Sequence, residues 1–178
     1  MTLANSITLF RIFLIPVFIY SLMAKGYWVA SVLIVLAALS DLADGYVARR
    51  YGQITKVGIL LDPMADKLLA ISAFIFFAFQ GVIPLWFVLM VFYRDFSLLV
   101  GVVALRWCHK KSIVSSQVIG KISAAIHLIL IFILCVMQVY PSIAEVKEIF
   151  FILAMGMTVI SFISYSIRWF KLFYEGGQ

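Results

Sequence analysis

Residues 40–67 constrain this chain more than any other stretch. They read SDLADGYVARRYGQITKVGILLDPMADK and hold four of the chain's eight acidic residues, with strongly apolar segments on both sides. Asp41 and Asp44 are three residues apart, and Asp62 and Asp66 four apart, so on helices each pair shares one face. Carboxylates at the edge of an apolar layer are too costly to leave unpaired, and they imply a bound cation or a basic partner.

That the layer is a membrane follows from composition. The chain has 178 residues, 65% of them hydrophobic and 12% charged, against about 25% charged in an ordinary soluble domain. A soluble fold of this size cannot bury so much apolar surface. The length suits one domain over residues 1–178, with no separate soluble domain, internal repeat or low-complexity tract. The net charge of +6 comes from bases in short links between apolar runs, which is a topology signal. No basic patch accompanies a soluble recognition fold, so no nucleic-acid role is assigned. Cys108 and Cys135 make no disulfide framework and are expected as ordinary helix residues. Asn5, Arg11 and Pro16 interrupt the first apolar run, which is expected to stay in the fold and not to be a signal peptide.

Six apolar segments are expected as helices, over residues 7–23, 27–49, 58–79, 83–107, 118–139 and 143–169. Lys25-Gly26, Gln80-Gly81 with Pro84, and Tyr140-Pro141 mark turns. The link before residue 58 is short, so segments two and three are expected as antiparallel neighbours with both carboxylate pairs near one membrane face. Alternate ends differ in charge. One side collects Arg49, Arg50, Lys56, Arg106, Lys110, Lys111, Arg168 and Lys171, while the links of the other hold Lys25 and Lys147. By the positive-inside rule, the Asp-rich side and both termini are cytoplasmic. The expectation is an all-α integral membrane protein of six transmembrane helices with a polar, metal-containing cavity on the cytoplasmic side.

Four carboxylates on two successive helices could clamp one or two divalent cations. The ligands are hard oxygens, which suits Mg²⁺ or Mn²⁺. Such ions could hold a pyrophosphate and offset charge as its bond breaks, while one Asp takes a proton from an attacking hydroxyl. Gly45, Ala48 and Gly58 leave backbone open to a ligand, or serve helix packing. Arg94, Arg106 and Lys121 supply positive charge for a substrate phosphate. Alternatively, Arg94 pairs with a carboxylate such as Asp95, and the other two lie at the interface. Arg11 either snorkels to the headgroups or helps hold an anionic one. Lys67 is turned from the Asp62 and Asp66 face by roughly 100° and is read as structural or as a lipid contact. His127, alone in an apolar helix, is read as packed or hydrogen-bonded.

The order Asp41, Asp44-Gly45, Ala48-Arg49, Gly58, Asp62, Asp66, with two, two, eight, three and three residues between, resembles the full motif of the CDP-alcohol phosphotransferases. Eight positions at set spacing make a specific pattern. Residues 5–16 and the phrase LDPMADK extend the resemblance, which is clear over residues 5–127. It implies six membrane helices, usually as a homodimer, with a cytoplasmic-side cavity, and the lack of a transit segment makes a bacterial inner membrane the expected location. It implies two metal ions on Asp41, Asp44, Asp62 and Asp66, with Asp66 as general base. Gly45, Ala48, Arg49 and Gly58 match the part that holds the cytidine and pyrophosphate of CDP-diacylglycerol. The reaction implied is phosphatidyl transfer to an alcohol with release of CMP.

For the acceptor, the opening residues and Gly120-Lys121 resemble the phosphatidylglycerophosphate synthases, which use glycerol 3-phosphate. Arg94-Asp95 followed by Arg106 resembles the cardiolipin synthases of the same family, which use phosphatidylglycerol. Arg94, Arg106 and Lys121 are the expected acceptor-phosphate ligands, and glycerol 3-phosphate the expected acceptor. A transporter or a non-catalytic lipid-binding protein is the competing class. The confinement of the acids to one face, with no charged path beyond them, disfavours transport.

Overall fold

The computed structural model describes the backbone of residues 3–51, 58–109 and 118–175, and the side chains of residues 11–40, 67–98, 100 and 119–167. Among the described residues the fold is all-helical. The helices are α1 (Leu3–Met23), α2 (Tyr27–Tyr51), α3 (Gly58–Phe79), α4 (Leu85–His109), α5 (Val118–Met137) and α6 (Ala144–Glu175), with a 3₁₀ turn at Pro141–Ile143 before α6. Each helix matches one expected segment, and α6 runs six residues further than the apolar pattern. The stretches Ile119–Met137 and Pro141–Ile167 are long and apolar enough to cross a membrane.

Two of the turns use one device with different residues. At the end of α3, Gly81 at φ +70° donates to the Ala78 carbonyl and Val82 to that of Phe77, at 3.0 and 2.9 Å. At the end of α1, Lys25 at φ +57° donates to Leu22 and Gly26 to Ser21, at 3.1 and 2.8 Å. Both are Schellman caps, which satisfy the last carbonyls through one left-handed residue. Glycine fills that position without strain after α3, whereas after α1 it falls one residue too late, and Lys25 adopts the strained conformation.

The helices pack as a ring with an annex. Helix α1 packs on α2 and α3, and α5 also packs on α2 and α3, so these four close a ring in the order α1, α2, α5, α3. Helix α4 lies against α3, and α6 against α5 and α4. Among the described residues α2 and α3 share no extensive interface. The short link between them suggests antiparallel neighbours at their carboxylate ends, a contact that would fall on residues 41–66, whose side chains lie outside the described residues.

The core lies toward the end of the bundle remote from the 51–58 link. Phe74 meets Phe87 edge to face at 5.5 Å, and Phe87 meets Phe151 at 4.9 Å. Phe18, Leu22, Phe77, Leu130, Ile131 and Leu134 are fully buried around them. Outward faces are apolar too: Phe13, Tyr20, Leu36, Ile152, Ile160 and Ile167 are exposed. Lipid is the solvent such faces fit, and cohesion then comes from packing and from interhelical hydrogen bonds.

Candidate functional site

The carboxylate positions fall on α2 and α3. Asp41, Asp44, Gly45, Ala48 and Arg49 are in the last turns of α2, while Gly58, Asp62 and Asp66 are in the first turns of α3. Their side chains lie outside the described residues, as does that of Arg106 near the end of α4. Among the described residues no three His, Cys, Asp or Glu could hold a metal. The fit of a divalent ion therefore rests on the donor chemistry: four hard carboxylates, two on each of two successive helices, suit Mg²⁺ or Mn²⁺.

The described side chains reach the edge of that cluster from both sides. On the α2 side, Arg11 of α1 is fully buried and directs Nε at the Ser40 hydroxyl, 3.5 Å away and one residue before Asp41. It does not snorkel to the headgroups. On the α3 side, Lys67, one residue after Asp66, lies 3.9 Å from the Asp95 carboxylate of α4 and donates to the Asp95 carbonyl at 3.5 Å. Its 100° offset from the acidic face thus serves to tie α3 to α4.

Arg94 extends this network to α6. It is buried, donates through one terminal nitrogen to Asp95 at 2.8 Å, and through its other terminal nitrogen to the Ser161 hydroxyl at 2.7 Å. Its Nε is 3.3 Å from the same hydroxyl. Lys67, Asp95, Arg94 and Ser161 thereby link α3, α4 and α6 through two basic side chains and one carboxylate. Of the two expectations for Arg94, pairing with Asp95 is present in this structure. A buried guanidinium needs such partners, because desolvation outweighs an isolated charge.

Helices α5 and α6 bring up a third group. His127 bonds the Thr158 hydroxyl at 3.0 Å, and that hydroxyl donates to the Ala154 carbonyl at 2.7 Å. His127 is thus a hydrogen-bonded core residue, stacked edge-on against Phe74 at 5.6 Å. Nearer the α5 start, Tyr165 approaches Gly120 so closely that a Cβ there would overlap its hydroxyl and lie 3.5 Å from Cζ. Lys121, the next residue, is exposed. A cavity of about 210 Å³ opens between α4 and α6, lined by Tyr93, Arg94, Ser97, Phe162, Tyr165 and Ser166 among others.

Sequence reasoning missed the contribution of α6. Thr158, Ser161 and Tyr165 recur at intervals of three and four in an otherwise apolar helix, and that spacing was the available signal. It also missed Asp95 as the link between Lys67 and Arg94. Arg94 and the Gly120-Lys121 pair, by contrast, do come to the same α4, α5 and α6 corner, through Tyr165.

Residues 1–160 match the family model described as CDP-alcohol phosphatidyltransferase. The chain belongs to this family, a class of transferases that an all-helical, apolar bundle with carboxylates on two successive helices fits. Three relatives span its range. A Mycobacterium tuberculosis protein named "putative cardiolipin synthase" is 37% identical over 68% of the chain, and the match spans 58% of that protein's length. A Bacillus subtilis protein named CDP-diacylglycerol–glycerol-3-phosphate 3-phosphatidyltransferase is 33% identical over 67% of the chain and 69% of its own length. An Aquifex aeolicus protein of the same name is 26% identical over 98% of the chain and 99% of its own length.

Proposed function

We propose that this protein transfers the phosphatidyl group of CDP-diacylglycerol to the hydroxyl of glycerol 3-phosphate, forming phosphatidylglycerol phosphate and releasing CMP. The observation that carries this reading is the family match over residues 1–160, which spans all eight motif positions. The near end-to-end match to the Aquifex protein named for this reaction supports the acceptor.

In this reading Asp66 accepts the proton of the acceptor hydroxyl, whose oxygen attacks the phosphorus bearing the diacylglycerol. The bond from that phosphorus to the bridging oxygen breaks, and CMP leaves with the electron pair. Two Mg²⁺ or Mn²⁺ ions on Asp41, Asp44, Asp62 and Asp66 would offset the charge of the pyrophosphate and of departing CMP. Gly45, Ala48, Arg49 and Gly58 hold the donor's cytidine and pyrophosphate. Arg94, Arg106 and Lys121 face the acceptor's phosphate. All six helices cross a bacterial plasma membrane, with both termini and the carboxylates cytoplasmic, and the protein acts as a homodimer. The charge bias of the links supports this orientation.

One observation favours phosphatidylglycerol as the acceptor instead. Arg94 is already bonded to Asp95 and Ser161. Together with Lys67, this leaves two basic side chains to one carboxylate. A phosphodiester with one negative charge suits that balance better than a phosphate monoester, which calls for denser positive charge. The Mycobacterium relative's name agrees with this second reading.

The test supplies purified protein with Mg²⁺ and CDP-diacylglycerol, and offers glycerol 3-phosphate, phosphatidylglycerol, inositol phosphate and serine separately. Lipid products are identified by mass. Phosphatidylglycerol phosphate is expected with glycerol 3-phosphate. Product with phosphatidylglycerol alone overturns the first reading in favour of the second. Cation flux in sealed vesicles without CMP release overturns both.

A further inference from the structure

The α5–α6 interface holds a polar row that the proposed chemistry leaves without a task. The His127–Thr158 bond and the Gly120–Tyr165 approach set one antiparallel register. Between those two points lies Ser123, fully buried, whose hydroxyl has no hydrogen-bond partner among the described residues. The row ends at Tyr165, whose ring lines the α4–α6 cavity with Arg94 and whose hydroxyl projects over Gly120, next to Lys121. No hydrogen bond is made by that hydroxyl among the described residues.

Packing alone does not account for this arrangement. A phenylalanine ring would fill the same groove, and an alanine at position 120 would then fit beside it. The structure instead pairs a missing side chain at Gly120 with a half-buried phenol whose hydroxyl is left to donate elsewhere. Arg94 lines the same cavity as Tyr165, and Lys121 follows Gly120 in sequence, so both cations expected to meet the acceptor phosphate lie on elements that Tyr165 touches.

We propose that Tyr165 is an acceptor-contacting residue, whose hydroxyl donates a hydrogen bond to the phosphate ester of the acceptor's glycerol headgroup between Arg94 and Lys121. Glycerol 3-phosphate and phosphatidylglycerol share that chemistry. The proposal rests on the phosphatidyl-transfer reading above and assigns a new residue within it. Gly120 then acts through Tyr165 as a positioning residue, keeping open the space that the hydroxyl occupies.

The experiment measures CMP release by the purified full chain with Mg²⁺, varying each acceptor at saturating CDP-diacylglycerol and then the donor at saturating acceptor. Tyr165→Phe should raise KM for the accepted alcohol about tenfold, the value of one hydrogen bond to a charged group. It should leave the donor KM and the thermal midpoint unchanged, a split that a purely structural role would not produce. Gly120→Ala, which displaces the hydroxyl, should raise the same KM and spare the donor's. An unchanged acceptor KM in active Tyr165→Phe protein overturns the proposal and leaves phosphatidyl transfer standing. Equal rises in donor and acceptor KM overturn it as well. A wild-type protein that releases no CMP with any acceptor overturns the transfer reading and the Tyr165 role together.

Discussion

The two ends of the bundle are held together differently. Around Phe74, Phe87 and Phe151 the helices meet through ring edges and branched aliphatic side chains, with one neutral hydrogen bond, His127 to Thr158, among them. Toward the carboxylate helices, cohesion passes to a few directional contacts: Arg11 with Ser40, Lys67 with Asp95, and Arg94 with Asp95 and Ser161. Close packing fills space, so it stabilises and leaves no room for a substrate. Sparse polar ties hold helices at set separations and leave volume between them, as in the cavity beside Arg94. The ties also end one residue short of Asp41 and one residue past Asp66, where small shifts in backbone register would be felt most.

This contrast can be broken or sharpened by substitution. The largest effect is expected for Asp66→Asn, which should lower CMP release about a thousandfold, within the range for loss of a general base, while the thermal midpoint holds. Undiminished turnover would reject Asp66 as the base. Next, Asp95→Asn leaves Arg94 and Lys67 without their shared carboxylate. It should cost about 3 kcal/mol, as when a buried charge loses its partner, and should lower turnover as well. Thermal unfolding in detergent and the CMP assay check both parts. If turnover is unaffected, the polar ties do not set the carboxylate register.

Phe87→Ala tests the other end. It should cost about 2 kcal/mol, below the usual aromatic-to-alanine loss, because lipid is nearly as apolar as the core and only the packing term remains. Acceptor and donor KM should stay as in the wild type. A fall in turnover equal to that of Asp95→Asn would erase the distinction between the two ends. The smallest effect is expected for Thr158→Val, about 0.6 kcal/mol, the average for an interhelical hydrogen bond in a membrane protein, with kinetics unchanged.

Much of the architecture is legible in the chain because apolar runs and turn residues are local signals. Each of the six helices falls on an apolar run, and the turns fall at Lys25-Gly26, Gly81 to Pro84 and Tyr140-Pro141. The motif residues and the family are legible because their spacing is itself sequence information. Partners were not legible. Arg94 beside Asp95 in sequence suggests their pairing, but nothing local to either residue indicates Ser161, 67 positions away, as the second acceptor. Arg11 read as a headgroup contact because it lies near the start of its apolar run, yet it turns inward to α2.

By itself the sequence determined an apolar helical bundle, its turns, and the eight motif positions with the class of chemistry they serve, since periodicity and spacing act over a few residues. Only the tertiary structure decided that α1 and α5 each pack on both α2 and α3, that Lys67 and Arg94 share Asp95, and that Tyr165 lies over Gly120. Those outcomes depend on which faces of distant helices meet. That is settled by shape and by the need of each buried charge for a partner.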